Sequence, residues 1–358
     1  MNILTWFNKN YPELISEMKN CSHNLSDSEL SPYHAEGSVF THTMMVYSHL
    51  PLNASTELKL AALLHDIGKP ACAVIREGKG RVSFTNHEKY SSFKAIDIIN
   101  HYEDESDVFI DKRKILFGIN FHDILHKVVS YDEDENVFIS NENKMMLNNM
   151  FYEDIELFSF LLDLGVADMK GRICTDLDLN LRRYELISHF LPYKGDYIKK
   201  YKDLNVYMLI GLPGSGKTTT AEKLMKENPS LVYLSIDDEI MNLNKYSYSY
   251  NGAWSKERQK EASSIVFEKM KKLIEEKKSF ILDGTNFQEK IRRRQLNAIP
   301  SKYYNKIAMV HLTGEKKLID VMSTRKDKNV PNESIHNMAK EFLYPSFDMF
   351  DSIETFIR

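Results

Sequence analysis

The sequence predicts two domains in series, an all-α domain over residues 1–200 and an α/β domain with a parallel sheet over residues 201–358. Three observations carry that prediction. The chain has 358 residues, more than one average domain needs. Gly211 to Thr218, Gly-Leu-Pro-Gly-Ser-Gly-Lys-Thr, fits the phosphate-loop pattern G-x-x-x-x-G-K-[ST] at every position. Before that loop the apolar periodicity is helical, with histidines and aspartates at the helix ends. After it, strand-like and helix-like segments alternate.

In the first half, residues 1–30 are polar with a helical patch and carry no readable chemistry. Ser38 to Leu50 predicts a helix with His42 in its second turn. Leu58 to His65 predicts another, running into Asp66 and stopped by Gly68 and Pro70. Residues 72–84 predict a hairpin, with residues 77–80 as the turn between Ala73–Ile75 and Val82–Phe84. Asn86 is placed to cap a helix with His87 in its first turn. The apolar run Ile115 to Phe121 ends in His122-Asp123. Residues 130–143 are acidic and polar and read as a loop. Ile155 to Asp168 is apolar and periodic, and leads to Gly171-Arg172. Pro192 and a shift in charge pattern over 191–204 place the domain boundary near residue 200.

In the second half, Val206 to Ile210 predicts a buried strand and Thr219 to Glu227 a helix ended by Asn228-Pro229. Leu231 to Ile236 predicts a strand ending in Asp237-Asp238, Ala253 to Lys277 a helix, and Ser279 to Leu282 a strand ending in Asp283-Gly-Thr-Asn286. Gln288 to Ala298 is a helix bearing Arg292-Arg293-Arg294. A strand over Lys306 to Leu312 and a helix over Glu315 to Arg325 follow, then a basic segment to Asn329. Pro331 opens a last helix.

Composition removes several function classes. The hydrophobic fraction of 42% and charged fraction of 27% are those of an ordinary globular protein. No apolar run approaches the ~20 residues of a membrane span. The N-terminus lacks a basic segment followed by an apolar one, and Cys21, Cys72 and Cys174 are scattered, so a cytoplasmic protein without membrane partners is expected. Residues 1–200 hold 21 Lys/Arg against 30 Asp/Glu, and residues 201–358 hold 26 against 21. The acidic half is suited to cations and the mildly basic half to phosphates. Neither balance is extreme enough to demand nucleic acid.

The glycines of the loop let successive N–H groups point at one anion, and the following helix N-terminus adds positive potential. Gly211, Pro213, Gly214, Ser215, Gly216, Lys217, Thr218 and Thr219 are therefore expected to hold ATP. Lys217 would reach the β/γ-phosphates, and the Thr218 hydroxyl would hold Mg2+. Asp237, Asp238 and Asp283 end strands, where side chains face the ligand crevice of such sheets. One of them can take the proton of an attacking hydroxyl, and another can hold Mg2+ through water; the bland alternative is helix capping. Arg325 begins a segment suited to close over ATP and stabilise the transferred phosphoryl. The Arg292–Arg294 triplet reads as a solvated face.

In the first half, His65-Asp66 at a helix end can share one metal, and Lys69 can meet a substrate phosphate. Imidazole and carboxylate donors suit Mn2+, Ni2+, Fe2+, Co2+ or Zn2+ and do not choose among them. A bound metal lowers the pKa of water and neutralises phosphate charge. Arg172 and Lys69 are the candidate phosphate contacts. His34 and Glu36 either line the mouth of the site or form a loop network. His23, His49, His101, His126, His189, His311 and His336 read as structural.

The pattern His42, His65-Asp66, His87, His122 and Asp168 resembles the HD-domain phosphohydrolases. The Tyr33–Thr43 and Asp168–Arg172 stretches look like the HD domains appended to tRNA nucleotidyltransferases. The resemblance implies one metal on His42, His65, Asp66 and Asp168, and a second on His87 and His122 with Asp66 bridging. The second half looks like the 5′-hydroxyl polynucleotide kinases, through the phosphate loop, Ser235-Ile-Asp237-Asp238, Asp283-Gly-Thr-Asn286 and the Arg325 segment. That likeness implies Asp237 as general base, Lys217, Thr218 and Arg325 on ATP, and Asp283 and Asn286 on the substrate side. One position departs. Ile240 stands where relatives usually carry an arginine for the acceptor's phosphate; either a shifted basic residue such as Lys245, Arg258 or Arg292 substitutes, or the acceptor differs.

The order of the two halves resembles the bifunctional HD-domain polynucleotide kinases. It implies ATP-dependent phosphorylation of 5′-OH ends and removal of 2′,3′-cyclic, 2′- or 3′-phosphates. The partners would be RNA or DNA ends, cleaved tRNA among them, with an RNA ligase acting next. Three rivals stand beside it. One is a nucleoside or nucleotide kinase fused to a nucleotide phosphohydrolase. The others are an ATP-gated RNA-binding switch and an enzyme cleaving cyclic-nucleotide signals.

Overall fold

The computed structural model describes residues 2–26, 29–76, 81–134, 136–151, 154–192, 202–243, 255–325, 330–345 and 348–358. The turn expected at 77–80, most of the joining segment, Lys245 and the basic residues after Arg325 lie outside them. The chain divides into two units, Met1–Tyr197 and Ile198–Arg358.

The first unit opens with two helices, Ile3–Asn10 and Pro12–Asn20. Asn2 accepts from the Thr5 N–H, and Pro12 stands at the first helical position, where its missing N–H costs nothing. Val39–Ser48 begins behind Ser38, whose hydroxyl accepts from Thr41 N–H. Thr56–Leu64 is buried from Leu60 to Leu64, apolar all round, as befits a central helix. Its C-cap is His65. The short helix Lys69–Cys72 leads into the antiparallel pair β1 (Val74–Arg76) and β2 (Arg81–Ser83). His87–Ser106 and Lys112–Phe121 follow, the latter C-capped by His122. Asn86 does precede the first of these, but in a left-handed conformation and without a side-chain cap.

A second hairpin was not anticipated. Residues 130–143, expected to be a loop, contain most of β3 (Val129–Tyr131) and β4 (Val137–Ile139), paired antiparallel. The acidic run hides it. Asp132 Oδ1 accepts from the Asp134 and Asn136 N–H groups, so the charges build the turn itself. Asn141–Phe151, Ile155–Lys170 and Leu177–Ser188 complete the unit.

Two glycines bring the site elements into contact. A Cβ on Gly171 would lie 2.6 Å from Val46 Cγ2 and 2.8 Å from Val46 N, so only glycine lets the end of Ile155–Lys170 reach Val39–Ser48. A Cβ on Gly68 would lie 2.6 Å from the His87 carbonyl oxygen. The first approach joins Asp168 to His42; the second joins Asp66 to His87.

The second unit holds five parallel strands in the order β6-β7-β5-β8-β9. They are β5 (Leu204–Gly211), β6 (Val232–Ser235), β7 (Phe280–Asp283), β8 (Tyr304–Leu312) and β9 (Ser352–Ile357). The central strand β5 has Val206, Met208, Leu209 and Ile210 fully buried, the pattern of a sheet covered on both faces. The edge strand β9 was not anticipated, because Ser352, Glu354 and Thr355 dilute its apolar content. Helices Lys217–Glu227, Ile236–Leu243, Lys256–Glu275, Glu289–Asn297, Glu315–Thr324 and Asn332–Glu341 lie between the strands in sequence. Among the described residues, no helix is long and apolar enough to cross a membrane.

Candidate functional site

In the first unit, His42, His65, Asp66, His87, His122 and Asp168 converge from five places in the sequence. The ligand atoms of His42, His65 and Asp168 lie within 4.8 Å of one another, as do those of Asp66, His87 and His122. The Asp66 carboxylate stands between the groups. Its Oδ2 is 3.2 Å from His65 Nε2 and 3.6 Å from His42 Nε2, while its Oδ1 is 3.1 Å from His87 Nε2. The spacing of these residues in the sequence thus becomes two clusters sharing one carboxylate.

The hydrogen bonds of the imidazoles prepare them as ligands. Nδ1 meets a backbone carbonyl in each: Ala62 for His65, Phe84 for His87 and Ile119 for His122, all at 2.8 Å, and Gly171 for His42 at 3.1 Å. A carbonyl only accepts, so Nδ1 carries the proton and Nε2 presents a lone pair inward. The Nε2 atoms of His65 and His87 are buried without a hydrogen-bond partner. His42 Nε2 lies 2.9 Å from Asp168 Oδ1, a contact that a second ring proton satisfies and that a divalent ion would replace. Burial disfavours the charged imidazole there, yet Asp168 and Glu36 prevail and push His42 up to about 9. The donor set therefore fits divalent metal ions, held by nitrogen and oxygen without sulfur.

The clusters open on a cavity of about 650 Å³ lined by Lys69, His122, Asp168 and Arg172, with Tyr33, Phe84 and Lys127 also in its wall. Lys69 is 5% exposed, with Nζ 2.6 Å from Asp66 Oδ2. Arg172 pairs with Asp168 and lies 3.5 Å from Asp123 Oδ1. Of the two readings left open for Glu36, the structure favours a network. Its Oε1 is 3.0 Å from His42 Nδ1 and 2.8 Å from His34 Nδ1, and Oε2 accepts from Ile173 N–H. This is a carboxylate behind one of the converging imidazoles. His34 both joins that network and lines the cavity. Sequence reasoning missed Asp123, although His122-Asp123 repeats the His-Asp dipeptide. It also set His23 aside as structural, and His23 lines the same cavity.

In the second unit the phosphate loop follows β5. Gly214 and Gly216 take φ of +82° and +95°, which glycine alone adopts freely. The helix starts at Lys217, with Gly216 as its N-cap. Lys217 Nζ donates to the Gly211 and Leu212 carbonyls at 2.9 Å, so it lies along the loop. Ser215 is buried, while Thr218 and Thr219 are exposed. Pro213 is buried in the turn.

The acidic residues lie at the same ends of neighbouring strands. Asp237 and Asp238 fall in the first turn of Ile236–Leu243 rather than beyond a strand, because β6 runs straight into that helix. Ser235 Oγ accepts from Asp238 N–H. Partial desolvation, then Asp237 and Asp283, raise the Asp238 carboxyl, which puts all three in one electrostatic neighbourhood. Asp283 accepts from the Tyr233 hydroxyl at 2.5 Å. Arg325 is exposed at the C-terminus of Glu315–Thr324.

The residues after β7 are more enclosed than expected. Asn286 is 2% exposed, its amide donates to the Leu209 carbonyl and ties the end of β7 to β5, and its Oδ1 is buried without a hydrogen-bond partner. Arg292 is fully buried, not on a solvated face, and donates to the Asn286 and Phe287 carbonyls. It cannot replace the arginine missing at Ile240. Ile240 is itself fully buried against Ala262, Ile236 and Leu243. Arg258, the remaining described candidate, pairs with Glu261 at 3.2 Å on an exposed helix.

Comparison with known proteins bears on this second unit. Residues 206–345 match the AAA domain family. NEDD4-binding protein 2 of Homo sapiens is 32% identical over 146 residues, which is 39% of this chain and 7% of that protein. Among solved structures, a chain of a Pnkp1/Rnl/Hen1 RNA repair complex is 17% identical over 41% of this chain and 46% of its own, with a TM-score of 0.35. A fungal RNA kinase is 15% identical over 43% and 75%, with a TM-score of 0.29. A sugar kinase from Janibacter sp. HTCC2649 is 16% identical over 43% and 85%, with a TM-score of 0.35. Likenesses this distant, split between RNA and sugar kinases, choose no substrate. The loop, the parallel sheet and the family match together make residues 206–345 an α/β P-loop domain similar to the AAA domain family.

Proposed function

We propose that this chain is a bifunctional enzyme of nucleic-acid ends, with an HD-type phosphohydrolase over residues 1–200 and a P-loop 5′-hydroxyl kinase over residues 201–358. The observation that carries the reading is Asp66, whose two oxygens face two separate imidazole clusters beside a cavity lined by Lys69 and Arg172. That arrangement suits hydrolysis of a phosphoester.

His42, His65, Asp66 and Asp168 would hold one divalent ion, and His87, His122 and Asp66 a second. Such ions supply an acidified water and charge neutralisation at phosphorus. The chain's own residues do the rest. Lys69 and Arg172 orient the phosphoryl oxygens, and Glu36 holds His42 in the tautomer that ligates. The product is an RNA or DNA end freed of its 2′,3′-cyclic, 2′- or 3′-phosphate.

In the second unit, the loop from Gly211 to Thr219 cradles the phosphates of ATP and Mg2+. Asp237 accepts the proton of the attacking 5′-hydroxyl, the hydroxyl oxygen bonds to the γ-phosphorus, and ADP leaves. Asp283 orients the acceptor or a metal-bound water, and Arg325 stabilises the transferred phosphoryl. Broken RNA, cleaved tRNA included, would leave this enzyme with ends a ligase can join.

The test is a doubly end-labelled RNA incubated with and without ATP, and with Mn2+ or Ni2+. Gain of a 5′-phosphate and loss of the opposite terminal phosphate are expected. No transfer from ATP to a 5′-OH oligonucleotide, with Lys217→Ala indistinguishable from the native protein, rejects the kinase half. Ile240 favours a second reading, a nucleoside or nucleotide kinase fused to a nucleotide phosphohydrolase. A buried isoleucine cannot grip an acceptor's phosphate. Comparing mononucleosides with oligomers as acceptors separates the two.

A further inference from the structure

We propose that His23 is a positioning residue that, together with Asp66, fixes the Lys69 ammonium at the wall of the metal cavity. The inference rests on the hydrolase reading above and assigns work to a histidine the sequence left as structural.

The first unit contains a third group of ligand-type side chains, His23, His34 and Glu36. Lys69 stands between this group and Asp66. Lys69 Nζ lies 3.0 Å from His23 Nε2 and 2.6 Å from Asp66 Oδ2. Both side chains are almost completely enclosed, Lys69 at 5% and His23 at 3%.

The direction of the hydrogen bond follows from the far side of the ring. His23 Nδ1 is 3.1 Å from the Gly37 carbonyl, which can only accept. Nδ1 therefore carries the proton, and Nε2 offers a lone pair to the ammonium. His34 stacks on His23 with ring centroids 4.3 Å apart, and Glu36 holds His34 through Nδ1. The plane of the His23 ring is thus set by the same loop that supports His42.

An ammonium has three N–H donors on a flexible stem. Asp66 alone would leave Lys69 free to rotate about a single contact. A second acceptor at His23 defines where the third N–H points, and Lys69 lines the cavity. A donor aimed in advance costs no reorganisation when charge develops on a phosphoryl oxygen. The His23 ring packs edge-on against His42 with centroids 5.7 Å apart, but its Nε2 hydrogen bond goes to Lys69, so its polar effect passes through Lys69.

Amine labelling of the purified full-length protein with acetic anhydride, read by mass spectrometry, tests this without any turnover. Lys69 should label slowly in the native chain and several-fold faster in His23→Ala. His23→Gln, whose amide oxygen can still accept, should restore protection. Hydrolysis of a phosphoester should lose about 10- to 100-fold in kcat with KM little changed in His23→Ala. Metal content should match the native protein, and His23→Gln separates the lost acceptor from the lost packing of a buried ring. Equal Lys69 labelling in all three proteins overturns the proposal, as does a His23→Gln variant as impaired as His23→Ala. If the native protein hydrolyses no phosphoester, the hydrolase reading fails, and labelling alone then judges the His23–Lys69 tether.

Discussion

The two units build their candidate sites by opposite means. In the first, side chains from residues 42 to 168 converge at helix ends and are buried, and the backbone serves only to aim their Nδ1 atoms. In the second, one continuous segment after β5 does most of the work through its own amides and the helix that follows. A site gathered from afar depends on the packing of every helix that contributes. A local site depends on a few backbone dihedrals. Substitutions should therefore spread through the first unit and stay confined in the second.

The largest effect is expected from Asp66→Ala, because its carboxylate serves both clusters. Metal analysis should show both ions lost, and phosphoester hydrolysis should fall by about three orders of magnitude or more, the scale of water activation by a metal. Retention of one full equivalent of metal would contradict the shared-carboxylate arrangement. Lys217→Ala ranks next. Transfer from ATP should drop about 100- to 1,000-fold through loss of charge on the transferring phosphoryl. Metal bound to the first unit should not change. A parallel loss of that metal would contradict the confinement expected of a local site.

Glu36→Gln sharpens the first half of the comparison. It keeps the size of the side chain behind His42 but removes the charge. Metal affinity should weaken by about 10- to 100-fold, as for other partners behind a ligating imidazole. Titration with Mn2+ followed by calorimetry measures it. An unchanged affinity would mean the Gly171 carbonyl alone holds His42.

The same contrast explains what could be read from the sequence. The phosphate loop is contiguous, so its eight residues predicted strand, turn and helix together. The six converging positions of the first unit were legible as helix-end residues, but nothing in their order revealed that Asp66 faces both ways. Glu36 and His23 act through hydrogen bonds to residues far along the chain, and no periodicity encodes that. Arg292 was misread for a similar reason. On a helix of mean polar character it looks solvated, yet two carbonyls after β7 draw it inside. Strand β9 and the second hairpin were hidden by polar residues that charge alone assigns to loops.

The smallest expected effect is also the most direct test of convergence. Gly171 sits where Ile155–Lys170 ends, and an added methyl would meet the Val46 backbone nitrogen at 2.8 Å, which cannot rotate away. Gly171→Ala should cost about 1–3 kcal/mol of stability, the range for overpacking a close contact. It should also loosen the pairing of His42 with Asp168, since Val46 and His42 share one helix and Asp168 lies in the other. Gly216→Ala, by contrast, places its methyl against the flexible Arg358 side chain and strains only its own φ of +95°. Thermal melts and metal binding on both variants decide the matter. If Gly216→Ala disturbs metal binding as much as Gly171→Ala does, the distinction between a gathered and a local site fails.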